Sequence, residues 1–112
     1  MLRTVLKIKE ESAVGHYFLG QALANLGRFD EAEKELVSSI NLGGAEMKEA
    51  HRVLAIIYSA KGEKIRAAGE LETYLRLAPN TPDAEQLRQV ILQLKASSAP
   101  TPLSPPNVKP SL

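Results

Sequence analysis

With 112 residues and 14 basic against 13 acidic side chains, the chain is sized for one small domain, and its net charge of +1 gives no field to draw phosphate backbones or anionic lipid. Nucleic acid is therefore not an expected partner. The absence of cysteine removes disulfides, thiolate metal sites and thiol nucleophiles together. No apolar run approaches the roughly 18 residues of a spanning helix, so the reading is a soluble chain without membrane insertion, the cytoplasm being the favoured compartment.

In chain order, residues 1–12 place Leu2, Val5, Leu6 and Ile8 at helical spacing and read as the last turns of an amphipathic helix. A second helix is predicted from about Ala13 to Leu26, capped by Ser12 and closed by Gly27, which can adopt the left-handed conformation at little steric cost. The next runs from about Asp30 to Leu42. Its acidic start suits the positive end of the helix dipole, its inward stripe is Phe29, Ala32, Leu36 and Ile40, and Gly43-Gly44 breaks it. Helices are then predicted from about Met47 to Ala60 and from Lys64 to Leu77, with the small Ala67-Ala68-Gly69 allowing close helix approach. Pro79-Asn80-Thr81-Pro82 forces a turn, with Thr81 as cap and Pro82 as first residue of a last helix over 82–96. Leu87, Val90, Ile91 and Leu94 give that helix one apolar face. Residues 97–112 turn to serine and proline and read as a disordered, partly extended tail. Pro102-Leu103-Ser104-Pro105 has PxxP spacing, but the composition alone supports a plain tail.

The chain is also written twice. His16-x-x-Leu19-Gly20-x-x-Leu23, Gly27, Ala32-x-x-x-Leu36 and Gly44 return 35 residues later as His51-x-x-Leu54-Ala55-x-x-Tyr58, Gly62, Ala67-x-x-x-Leu71 and Pro79. A period in this range with two helices per unit indicates stacked helix pairs. These units resemble the tetratricopeptide repeat, whose pattern is Trp-x2-Leu-Gly-x2-Tyr, then Ala-x3-Phe, then Pro. Leu19, Gly20, Ala32, Leu54, Tyr58, Ala67 and Pro79 match directly, and Leu23, Leu36 and Leu71 replace one apolar residue by another. The departures are His16 and His51 for Trp, Ala55 for Gly, and Gly44 for Pro. The resemblance implies an all-α helix-turn-helix solenoid. Residues 13–46 and 48–81 would be two full repeats, 82–96 a capping helix and 1–12 the end of a preceding repeat helix, since Val5, Leu6 and Ile8 stand 34 residues before Ser39, Ile40 and Leu42. The chain would then be part of a longer array, or use that truncated helix as a cover.

In such a solenoid the first helix of each pair lines the concave face. The residues it would offer a partner are Val14, Tyr17, Phe18, Gln21 and Asn25, then Glu49, Arg52, Val53, Ile56 and Ser59, with Gln86, Val90 and Gln93 from the cap. The expected function is that of a scaffold or adaptor holding a protein or peptide there, with Tyr17 and Arg52 as anchors because tyrosine and arginine dominate binding hot spots. The carboxylate clamp by which some relatives grip chaperone tails looks absent, since Tyr17, Gln21 and Val53 occupy its slots. His16 and His51 share one repeat slot, which points to packing rather than a metal, and no ligand cluster accompanies them. Glu31, Lys34 and Glu35, and Glu70 beside Tyr74, read as solvated helix faces. No nucleophile motif, phosphate loop or carboxylate pair is present, so neither catalysis nor a cofactor is expected. The alternative is a structural module that self-associates, a homodimer covering the apolar N-terminal edge at Leu2, Val5, Leu6 and Ile8.

Overall fold

One serine and two glycines set the local frame. Ser12 Oγ accepts the Gly15 N–H at 2.9 Å and opens helix α1, Ala13–Asn25. Gly27, at φ 80°, closes it, with the Gly27 N–H bonded to the Ala24 carbonyl and the Arg28 N–H to the Leu23 carbonyl. The same closure recurs at Gly62, φ 82°, through the Ser59 and Tyr58 carbonyls. In this computed structural model, which describes residues 12–97, α1 is followed by α2 (Phe29–Gly43), a 3-10 turn (Gly44–Met47), α3 (Lys48–Ala60), α4 (Lys64–Leu77) and α5 (Ala84–Ser97). The described chain is all-helical, without a strand, and none of its helices is long and apolar enough to cross a membrane. The expectations for 1–11 and 98–112, including the apolar N-terminal edge and the proline-rich tail, lie outside the described residues.

Two boundaries differ from the sequence reading. Gly43-Gly44 does not simply break the chain: Gly44, at φ 61° and ψ −138°, leads into the 3-10 turn, a conformation that glycine alone adopts readily. The last helix begins two residues beyond Pro82. Thr81 Oγ1 donates to Asp83 Oδ1 at 2.8 Å instead of capping, and the Asp83 carbonyl accepts the Leu87 N–H.

The closest packing is of α1 on α2 and of α3 on α4, and α5 lies against α4. At the first crossing a Cβ on Gly20 would stand 2.7 Å from Leu36 Cγ and 3.2 Å from the Ala32 carbonyl oxygen, so only glycine allows this approach. Gly69 differs from the sequence reading. It sits inside α4 with nothing within 4 Å of a Cβ, so Ala67 and Ala68, both fully buried, supply the close contact without it. One apolar cluster joins Ala32 and Leu36 to Ala50, Val53, Leu54 and Ile57, with Phe29 and Ile40 packed against it. A second gathers Ala55, Ala68, Leu71 and Tyr74 around Leu87 and Ile91 of α5.

Polar side chains pin the same crossings. Ser39, fully buried, donates to the Ala13 carbonyl at 2.7 Å and ties α2 to the start of α1. His16 Nδ1 lies 2.6 Å from Glu35 Oε1, and its repeat mate His51 Nδ1 lies 2.7 Å from Glu70 Oε1. A carboxylate can only accept, so each Nδ1 donates. Glu35 and Glu70 are thus half-buried partners of the histidines, not the solvated residues the sequence suggested. Tyr58 is buried beneath the Arg66 guanidinium, 4.1 Å above its ring, and its hydroxyl donates to Glu33 at 2.8 Å. Burial first, then the Glu33 hydrogen bond, push its pKa up to about 12.

The two glycines predict opposite outcomes. Gly69→Ala gains helix propensity without a clash and is expected to stabilise by about 0.5–1 kcal/mol. Gly20→Ala gains the same propensity but drives Leu36 from its packed position, an overpacking cost of about 1–3 kcal/mol, leaving a net loss of about 1 kcal/mol. Thermal unfolding followed by circular dichroism should show Tm rising for the first and falling by about 4–8 °C for the second.

Candidate functional site

α3 and α5 flank an elongated groove with α4 at its base, a cavity of about 440 Å³, within the range of ligand-binding clefts. Ile56 and Val90 form opposite walls, Ala55 and Leu71 the floor, and Leu87 and Leu94 the α5 side. Small residues open it: Ala55, Ser59 and Ala60 on α3 do not reach across to α5. Ile56 is 64% exposed and Val90 39%, so two branched apolar side chains face solvent at one cleft.

The Arg52 end of the groove is a closed charge network. The guanidinium lies 2.9 Å from Asp83 Oδ2 and 4.9 Å above the Tyr74 ring, and the Tyr74 hydroxyl donates to Glu49 Oε2 at 3.2 Å. The Thr81 hydroxyl, and then Arg52, hold the Asp83 carboxyl below the usual carboxylate range. Tyr74 and Asp83 in turn favour the charged form of Arg52 and raise its pKa. The sequence offered Arg52 as a partner's anchor. Its charge is instead spent within the chain, bracing α3 against α4 and the start of α5.

The other expected contacts are divided. Val53 is 8% exposed and belongs to the core, so it cannot meet a partner. Its repeat mate Phe18 is 59% exposed, because α1 has no neighbour on that side among the described residues. Tyr17 packs against the core edge-on to Phe18, ring centroids 5.2 Å apart. Burial, then the Glu49 carboxylate, raise its hydroxyl pKa, with Arg52 opposing, so α1 meets the Arg52 network through this ring. Gln21 is half-buried, Asn25 and Gln86 are exposed, and none of the three lines the groove. Of the expected contacts on α1 and α3, Arg52, Ile56 and Ser59 line the groove. Sequence reasoning missed Asp83 and Tyr74, whose roles depend on contacts from α4 and the turn after it. Leu87 and Leu94 were visible as an apolar face without an indication of where it opens.

Among the described residues no group of three or more His, Cys, Asp or Glu is placed to hold a metal. The arrangement offers shape and apolar area, with its charges already paired. No protein-family model matches the chain, and no curated protein matches it.

The depressed Asp83 pKa fixes the sign of a pH effect. A carboxyl whose folded pKa lies below its unfolded value contributes stability above the unfolded value, and loses it as pH falls through the folded one. The Tm gap between the native chain and Asp83→Asn should therefore be full near neutrality and narrow as pH is lowered into the acid range, as calorimetry at stepped pH can read.

Proposed function

We propose that the chain is a tetratricopeptide-like module of stacked helix pairs that catalyses nothing and binds an apolar peptide or helix of another protein in the groove between α3 and α5. One observation carries the reading: Ile56 and Val90 stand exposed on facing walls of a cleft floored by Ala55 and Leu71. A surface that merely tolerates apolar residues scatters them, whereas these converge. The internal 35-residue repeat supports the helix-pair architecture, and the paired charge at Arg52 favours an apolar ligand segment over an acidic one.

A peptide-display selection on the folded chain, with amide chemical-shift mapping of the peptides obtained, tests this. Burying one branched aliphatic side chain contributes about 1.5–3 kcal/mol, so Ile56→Asp should weaken such peptides by about ten- to a hundredfold. Val90→Asp should act similarly. Peptides that bind both variants as well as the native chain would place recognition elsewhere.

A second reading, self-association, is favoured by Val14 and Phe18, both at least half exposed on the outer side of α1. Light scattering across a concentration range separates the two. Adaptor function predicts a monomer mass throughout, and a dimer abolished by Phe18→Asp would assign that face to a second copy.

A further inference from the structure

We infer that the outer cleft between α4 and α5 docks an acidic amphipathic helix of another protein. This cleft, about 660 Å³, shares no lining residue with the groove between α3 and α5. Leu75 of α4 with Ile91 and Leu92 of α5 supply its apolar surface, and Leu92 is 61% exposed. The repeat shows what shape fits there. Leu87, Val90 and Ile91 of α5 follow Val53, Ile56 and Ile57 of α3 by 34 residues, and burial agrees at each: Leu87 and Ile91 are buried like Val53 and Ile57, and Val90 is exposed like Ile56. In that register Arg88 and Leu92 correspond to Leu54 and Tyr58. On α3 a helix covers these two. Both are buried in one cluster with Ala67 of α4, and Arg66 of α4 lies over the Tyr58 ring. On α5 both are exposed, and among the described residues no helix follows α5 to cover them. The cleft therefore lies where the preceding unit seats a helix, along the furrow between two others.

Charge decides which helix. Where α3 presents Leu54, α5 presents Arg88, so an apolar face like that of α4 would cover a cation without answering it. Cations enter from both sides, Arg76 from α4 and Arg88 and Lys95 from α5, and Glu72 is the one carboxylate lining the cleft. Glu72 pairs with Lys95 at 2.5 Å, and Arg88 reaches the exposed Glu85, one turn back, at 3.4 Å. Arg76 donates only to the Thr73 hydroxyl, 3.1 Å away, and pairs with no carboxylate among the described residues. With Glu85 counted, one positive charge is still in excess, and it is that of Arg76. Arg88, Leu92 and Lys95 stand at i, i+4 and i+7 along one stripe of α5, a cation on each side of an exposed leucine. The matching surface is a helix with apolar residues along its centre and carboxylates on its flanks, which buries Leu92 and answers Arg76.

The probe is an amidated helical peptide of about 16 residues with leucines on one face and glutamates flanking them, beside a twin carrying glutamine for every glutamate. Titrated into the full chain labelled in nitrogen-15, the glutamate peptide is expected to shift the amides of Arg76, Arg88 and Leu92, and the twin to bind about tenfold more weakly. Arg76→Glu replaces an attraction by a repulsion, so it should weaken the glutamate peptide by about three- to tenfold and strengthen a lysine-flanked one. Leu92→Asp should weaken the glutamate peptide and its twin alike. Equal binding of the two peptides, shifts confined to Ile56 and Val90, or no shift at peptide concentrations up to about millimolar would overturn the inference. Shifts at Arg88 and Leu92 that grow with the concentration of the chain alone would give this face to a second copy, and overturn it as well. Because the two clefts share no residue, peptides selected on the groove between α3 and α5 test the adaptor reading independently.

Discussion

The fold depends on how closely two helices of a pair can approach. At α1 and α2 the distance is set by the absent side chain of Gly20 against Leu36 and the Ala32 carbonyl. At α3 and α4 it is set by Ala55, Ala68 and Leu71, which share one cluster. Close crossings bring the helix axes near enough for a histidine on one helix to reach a glutamate 19 residues on, so the His16–Glu35 and His51–Glu70 bonds are consequences of the small residues. The same approach buries Ser39 completely, and a buried hydroxyl is tolerated only with an acceptor, which the Ala13 carbonyl provides.

Two units built to one pattern still differ wherever their neighbours differ. Phe18 and Val53 share a repeat slot, and one is exposed while the other is core. Tyr17 and Arg52 share another, and the arginine finds Asp83 only because α5 follows α4 after a short turn. The slot determines where a residue sits on its own helix. What lies opposite is decided by the adjoining helices.

That division explains how much could be read in advance. Helix ends were legible because their signals are local: Ser12 bonds to a backbone three residues away, and Gly27 and Gly62 close their helices within six. The buried stripe of α2 was legible from the spacing of Ala32 and Leu36. Val53 was misplaced because register identifies a face but not the helix that will cover it. Gly69 was misassigned because a small residue in a close-packed run signals approach only when something stands opposite, and nothing does. Thr81 was expected to cap, and its hydroxyl went to Asp83 because that carboxylate also receives Arg52 from 31 residues upstream. The groove was out of reach for the same reason. It is made of residues from α3, α4 and α5 whose sidedness is plain singly and whose gap is not.

Why the gap stays open is a further question, since protein interiors close most voids larger than a water molecule. α5 could in principle settle onto α3 and cover Ile56. It is prevented at both levels of structure. Leu87 and Ile91, its two buried residues, already share one cluster with Ala68, Leu71 and Tyr74 of α4 and Ala55 of α3, so a roll of α5 in either direction would disturb that packing. At its start, the Arg52–Asp83 bridge, with the guanidinium lying over the Tyr74 ring, ties α3 to the turn before α5 and fixes their relative position. Ala55, Ser59 and Ala60 then have no means of filling the space from the α3 side. The cleft is thus the geometric remainder of two satisfied interactions, and it leaves Ile56 and Val90 exposed along it.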